Sequence, residues 1–265
     1  MRKDTEARMR EREYFRRLRL FPGAWTVLRL DGRGFARFTA GRFDKPFDIR
    51  LRDLMTAAAR SVIEEFQSLY AVTHSDEISV VFPPKWNMFD RRLEKLVSIS
   101  AGLASAIFTQ ACGEAAHFDS RAWQGVSEQD VVDYIRWRQE EAAHCALHSW
   151  CYWTLRQNGM DSEAVVQALR GQGKAFQNEL LFQHGINFND LPAWQRRGVG
   201  LYWESYQKAG FDPLRGEPVT AERRRIRIDA ELPMAEAYEE FVRRLLCAGV
   251  STARKMHPDR SNEKF

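Results

Sequence analysis

Two short stretches of the 265-residue chain carry residue types that can do chemistry together: Arg29-Leu30-Asp31-Gly32-Arg33-Gly34-Phe35 and His74-Ser75-Asp76-Glu77-Ile78-Ser79. The first follows the apolar run Ala24-Trp25-Thr26-Val27-Leu28, so Asp31 falls where a buried strand gives way to a glycine-containing turn. The second leads into Ile78-Ser79-Val80-Val81-Phe82, another strand by the same pattern. If these strands pair, their carboxylates meet at one end of a sheet. Carboxylates held close together repel each other, and a divalent cation between them is the usual way to keep both ionised. Gly32 and Gly34 let the backbone approach a phosphate chain, and Arg33, Lys45, Arg92 and Lys95 bring positive charge suited to phosphates. From the residues alone two readings stand: a two-metal site for phosphoryl transfer, and a structural Asp-Gly turn with exposed acids.

The elements that must position these residues follow from periodicity and breakers. Residues 4–20 read as a charged helix, stopped by Pro22-Gly23 before the first strand. From Asp48, an N-cap candidate, to Phe66 the apolar residues Ile49, Leu51, Leu54, Met55, Ala58, Val62, Ile63 and Phe66 recur with helical spacing. A long amphipathic helix is expected over Asn87 to Phe108, with Arg91, Arg92 and Lys95 in its first half, and a further strand near 115–119. Ser127 with Asp130 opens a helix in capping-box fashion that runs to about Gln157, where Asn158-Gly159 stops it. Helices over 162–169 and 174–182, a loop over 184–192, paired strands at 198–204 and 224–229, and a helix at about 233–248 complete the chain, with a mobile polar tail.

Composition narrows the class. With 44% hydrophobic residues the chain has enough apolar material for a substantial core. No uninterrupted apolar run approaches the roughly 18 residues of a membrane span, and the first twenty residues are charged where a secretory signal is apolar, so a soluble, cytoplasmic protein is expected. Cys112, Cys145, Cys151 and Cys247 show no CxxC spacing, as suits a reducing compartment. Residues 1–20 carry eight Lys or Arg against four Asp or Glu, an excess of +4 that equals the formal charge of the whole chain. With Arg196-Arg197 and Arg223-Arg224-Arg225, this segment points either to a polyanionic partner or to ordinary solvated surface.

The ordered set of motifs resembles the tRNA(His) guanylyltransferase family, on the side of its guanylyltransferase-like 3′-to-5′ polymerases. The resemblance runs from about Trp25 to Trp203. It rests on the two stretches above, Lys45-Pro46, Arg92 with Lys95, Phe118-Asp119-Ser120-Arg121, Tyr134-Ile135-Arg136-Trp137-Arg138-Gln139, Asn178-Glu179-Leu180-Leu181-Phe182, Gly185-Ile186-Asn187-Phe188-Asn189 and Arg197-Gly198. It implies an α+β fold: a polymerase palm-like, ferredoxin-like antiparallel sheet with packed helices, over residues 1–130, and a helical extension with a β-hairpin over 131–265. It also implies two Mg2+ ions held by Asp31, the carbonyl of Gly32 and Asp76, with Glu77 in support. Residues Asp31, Gly32, Arg33, Gly34, Phe35 and Ala36 with Ser75 and Asp76 would contact the nucleotide; Lys45, Arg92 and Lys95 would meet phosphates; Arg121, Arg136, His144 and Asn178 would meet RNA. The implied substrates are tRNA, GTP and ATP: ATP adenylylates a 5′-monophosphate, the 3′-hydroxyl of GTP attacks that end, and AMP leaves. Family members are commonly tetramers, so a homotetramer is also implied.

Two departures stand out. His144-Cys145-Ala146-Leu147 replaces the family's His-Ile-Asn-Asn motif, which favours template-directed repair of 5′-truncated tRNAs over strict tRNA(His) addition. Gln177 stands where the family has a lysine expected near a phosphate, with Lys174 one helical turn away as a substitute. A non-catalytic tRNA-binding protein and a palm-type enzyme acting on free nucleotides remain alternatives. His144, His148 and Cys151 share a helix face and are read either as packing residues or as an incomplete zinc site.

Overall fold

A computed structural model describes residues 2–212 and 217–256; the connection at 213–216 and the tail from residue 257 lie outside the described residues. The centre is a six-stranded, wholly antiparallel sheet. Its strands are β1 (Trp25–Gly32), β2 (Tyr70–His74), β3 (Glu77–Phe82), β4 (Phe118–Gly125), β5 (Val199–Asp212) and β6 (Glu217–Asp229), in the order β4-β1-β3-β2-β5-β6. Around it in chain order lie α1 (Arg2–Glu11), α2 (Phe35–Thr39), α3 (Ile49–Phe66), α4 (Leu93–Cys112), α5 (Glu128–Gln157), α6 (Ser162–Leu169), α7 (Lys174–Gln183), α8 (Ala193–Arg197) and α9 (Ala235–Met256). This mixed arrangement, palm-like as expected, takes two of its strands from beyond residue 130.

The central strands read as near-continuous apolar runs because both faces of the sheet are covered. Leu28 and Leu30 of β1 and Ile78, Val80 and Phe82 of β3 point into a core with α3 and α4. Their alternates, Val27 and Val81, pack with Val131 and Ile135 of α5 and with Tyr238 and Val242 of α9. Tyr70 and Tyr238, both fully buried, share a hydroxyl hydrogen bond of 2.8 Å that ties α9 to the sheet. A third core joins Leu147, Cys151 and Leu155 of α5 to Val165 of α6 and Leu181 of α7. α5 therefore belongs to the sheet at one end and to the helical extension at the other. Its Ser127–Asp130 capping box is present as read.

The structure departs from the sequence pattern at several elements. α1 ends at Glu11, and the chain then turns before an isolated bridge from Arg19 to Arg92. β2 was not anticipated: the short run Tyr70-Ala71-Val72 becomes a strand because it pairs with both β3 and β5. The helix expected from Asn87 begins at Leu93, after a 3-10 turn in which Phe89, Asp90 and Arg91 have positive φ. Arg91 is buried there, donating to the carbonyls of Pro84, Trp86 and Ala24 and to Thr26. α4 is also long and apolar enough, by length and composition, to cross a membrane, contrary to expectation, yet it places Leu96, Ala104 and Phe108 in the sheet core. The loop expected at 184–192 contains a 3-10 turn, and α9 reaches Met256.

Asp48 fixes the start of α3. Its carboxylate accepts from the backbone N–H of Arg50 at 2.7 Å and of Asp44 at 2.8 Å, and from the Arg50 guanidinium. The Arg50 side chain first, then these backbone donors, hold the Asp48 carboxyl down at about 2. A group depressed in the folded state stabilises above its unfolded pKa and loses that contribution as pH falls. Asp48→Ala is expected to cost about 1–2 kcal/mol at neutral pH. In chemical denaturation, that difference from the native chain shrinks as pH drops from about 4 toward 2.

Candidate active site

The β1–β3 register sets Asp31 directly opposite Glu77, and the β1–β4 register sets Asp119 on its other side. Asp76 is the second residue of the tight turn joining β2 to β3, where Ser75 takes φ 53° and the flanking His74 and Glu77 pair. The N–H of Gly32 donates to the carbonyl of Asp76 at 3.0 Å, stitching the end of β1 to this turn. A Cβ at Gly32 would lie 2.4 Å from the ring of Phe35, so the glycine is required by packing as well as by any ligand. Gly34, at φ 70°, turns the chain into α2.

The charges here are unevenly matched. Glu77 takes a bidentate pair from Arg138 of α5, with Nε at 2.8 Å and Nη2 at 2.5 Å, and Arg29 lies 4.0 Å away. Asp119 is bound by Arg121 at 2.9 Å, which leaves Asp31 at the 4.0 Å fringe of the same guanidinium. The Ser75 hydroxyl donates to the Asp76 carboxylate at 3.1 Å. Burial, then Glu77 and Asp119, push the Asp31 carboxyl up against the pull of Arg121 and Arg29. Burial, then the charge of Asp31, likewise raises Asp76. Two carboxylates short of positive charge suit a divalent cation. Among the described residues no three His, Cys, Asp or Glu side chains form a cage; two carboxylates and a carbonyl suit Mg2+, which keeps several waters and takes oxygens from substrate phosphates.

Two cavities meet at the turn, sharing His74, Ser75, Asp76 and Cys145. The larger, about 230 Å3, is walled by Phe47, Met55, Trp153 and Trp194 and carries Lys45. The Lys45 ammonium donates to Thr39 at 2.6 Å. Burial lowers its pKa, opposed by the charges of Asp76 and Asp48. The smaller, about 170 Å3, is lined by Asp31, Glu77, Arg138 and Arg197. His74 lies between them, bonded to the carbonyl of Gln195 at 2.9 Å; burial lowers its pKa.

The structure thus gathers Asp31, Gly32, Ser75, Asp76, Lys45 and Arg121, with Ala36 at the cavity wall and Arg33 and Gly34 exposed beside it. Phe35 touches the cavity but is mainly a core residue against Phe38, Phe108 and Phe118. Arg92 and Lys95 open α4 on the opposite face of the sheet, and the contact of Ser100 with Ser120 directs them toward the Trp25 end of β1, away from the carboxylates. Glu77 is a partner of Arg138 rather than a third open carboxylate. Arg136 is bound by Glu140 and by Glu239 of α9. His144 is exposed on α5, next to Cys145 at the cavities; Asn178 is exposed on α7, its side chain bonded back to the Lys174 carbonyl. Gln177 is buried, donating to the Gln172 carbonyl. Cys151 donates to the Gln177 carbonyl inside the helical core, whereas His144 and His148 are exposed. Sequence reasoning did not assign to the site a set on α5: Arg138, Glu141, Cys145, Ser149 and Trp153 recur every three or four positions along the cavity walls.

Comparison with known proteins finds relatives over most of the chain. The family model described as tRNAHis guanylyltransferase matches residues 6–127, and the Thg1 C terminal domain matches 129–239. The tRNA(His) guanylyltransferase of Neurospora crassa is 39% identical over 198 residues, 69% of this chain and 68% of that protein. A probable tRNA(His) guanylyltransferase of Mus musculus is 33% identical over 228 residues, 79% of this chain and 76% of that one. A solved bacterial tRNA(HIS) guanylyltransferase (Thg1)-like protein in complex with GTP superposes with a TM-score of 0.69 at 26% identity, over 92% of this chain and 99% of that chain. The Saccharomyces cerevisiae enzyme shares the fold, with a TM-score of 0.68 at 24% identity, over 73% of this chain and 91% of that chain.

A raised carboxyl destabilises the fold once it is ionised, because the folded state binds the proton more tightly than the unfolded one. Asp76→Asn is therefore expected to raise the melting temperature in chelator at neutral pH. The gain disappears below the unfolded carboxyl pKa, near pH 4. Scanning calorimetry at the two pH values measures it.

Proposed function

The chain belongs to the tRNA(His) guanylyltransferase family of nucleotidyltransferases, and on that premise we propose that it adds GTP-derived nucleotides to the 5′ end of tRNA at the Asp31–Asp76 site. One observation carries this assignment to the site: the strand register holds two charge-deficient carboxylates where two cavities meet. Asp31, the carbonyl of Gly32 and Asp76 would hold Mg2+. Bound there, the ions supply activation of the attacking hydroxyl and stabilisation of the leaving oxygen.

The chain's own residues do the rest. Lys45, half-buried and already attracted by Asp76, holds a triphosphate against the acidic turn. Trp153 and Trp194 offer flat walls to a base. Arg121, beside Asp31, meets the RNA 5′ phosphate. ATP forms a new bond from its α-phosphate to the 5′-monophosphate and releases pyrophosphate. The 3′-hydroxyl of GTP then attacks the RNA phosphate, AMP leaves, and the hydroxyl proton passes to solvent. A 5′-triphosphate end skips the first step, with pyrophosphate as the leaving group. Binding of GTP and of ATP by the bacterial relatives supports both nucleotides as substrates here. We place the reaction in the cytoplasm, in a homotetramer, the assembly being measurable by sedimentation.

The test uses magnesium, labelled GTP, and both tRNA(His) and a 5′-truncated tRNA, each with a 5′-monophosphate or 5′-triphosphate. Incorporation is expected opposite cytosine in the truncated tRNA, with ATP required only for the monophosphate. Asp31→Ala and Asp76→Ala are each expected to lower it by at least about a hundredfold while the fold and tRNA binding persist. Lys45→Ala should raise the KM for nucleotide about tenfold. Full activity in either aspartate variant overturns the site. Binding of tRNA without incorporation into any substrate favours the RNA-binding alternative, and GTP turnover without RNA favours the free-nucleotide one.

A further inference from the structure

Glu77 occupies an awkward position. It follows Asp76 in the chain and faces Asp31 across the β1–β3 pair, where opposed side chains stand about 5 Å apart at Cβ. Like charges so placed repel, and an open Glu77 would crowd the same volume as the two aspartates. Its position on the strand puts it on the face covered by α5, and there Arg138 meets it with both guanidinium donors. That fork geometry fixes the direction of the carboxylate as well as its charge. Both side chains are largely enclosed, at 15% and 20% exposure, and the Arg138 guanidinium also lies 4.6 Å from the Trp137 ring centre. Arg29 approaches Glu77 from within the sheet at 4.0 Å, and Ser79 donates to it at 3.3 Å. Arg138, Arg29 and Ser79 thus all engage Glu77, leaving Asp31 and Asp76 as the open acids.

We propose that Arg138 is a positioning residue that keeps the cation site at two carboxylates by holding both oxygens of Glu77 in a bidentate ion pair. The proposal rests on the metal-dependent reading above. The same ion pair joins α5 to β3, so it also sets where the α5 wall of both cavities stands relative to Asp76.

Mn2+ titration of the full-length protein, followed by the electron paramagnetic resonance of the free ion, reads the site without turnover. Asp31→Asn is expected to weaken Mn2+ binding at least tenfold, about the effect of losing a direct ligand or more. Glu77→Gln should change it by less than about threefold, below the tenfold typical of even an outer partner of a metal ligand. Arg138→Gln releases a third carboxylate and should tighten Mn2+ binding about tenfold while lowering kcat for GTP transfer. Arg138→Gln combined with Glu77→Gln should return Mn2+ affinity to near that of the native chain. Arg138→Lys, which keeps the charge but loses the fork, should fall between native and Arg138→Gln. Thermal melts of each variant check the fold, and a purely structural role for Arg138 predicts lower stability with unchanged Mn2+ affinity, which overturns the proposal. So does a loss in Glu77→Gln equal to that in Asp31→Asn, or a double variant that binds like Arg138→Gln alone. Unchanged binding in Asp31→Asn instead overturns the metal site itself, whatever the Glu77 variants do.

Discussion

The molecule depends on the alignment of β1 with β3. Side chains alternate along a strand, so a shift of one residue would carry Asp31 to the face covered by α3 and α4 and turn Leu30 toward α5. The present register puts Val27 in one core and Leu28 and Leu30 in the other, so the apolar packing on both faces specifies where the acids end up. The position of the carboxylates is in this sense a by-product of burying the strands correctly. Their mutual repulsion is tolerated because the rest of each strand is fully packed.

α5 extends that dependence beyond the sheet. Its first turns, through Val131 and Ile135, lie in the core beneath β1, and its later turns, through Leu147 and Cys151, carry α6 and α7. Between these anchors the helix passes the cavities, so one continuous element lines both of them. The charged groups of the site therefore come from β1, the loop between α2 and α3, the β2–β3 turn, β4 and α5; β1, the turn, β4 and α5 are joined by hydrogen bonds and ion pairs rather than by sequence proximity.

Much of this was legible in the chain. The Asp48 cap, the Ser127–Asp130 capping box, the stop at Asn158 and the paired segments expected at 198–204 and 224–229 follow from local chemistry, and all of them formed, the two strands pairing from Gly200 with Asp229 onward. What local chemistry does not encode is which face a residue meets after folding. Arg92 and Lys95 are basic and near in sequence order, yet α4 packs on the far side of the sheet. Gln177 is polar and stands next to the exposed Asn178, yet it fills a buried slot beside Cys151. Tyr70-Ala71-Val72 is too short to declare itself a strand, and only its two neighbours make it one. Arg138 sat in plain view inside a recognisable motif. Its importance appears only when β3 presents Glu77 to it.

The length of α5 has a mechanical meaning. At about 1.5 Å per residue its thirty residues form a rod on the order of 45 Å long, pinned to β3 at Arg138, with Trp153 about 22 Å farther along. The far half of the rod is held as well, by the packing of Leu147, Cys151 and Leu155 against α6 and α7. The helix therefore acts as a ruler: the spacing between the charged turn and the aromatic wall of the larger cavity is set by helical rise rather than by the length of a loop.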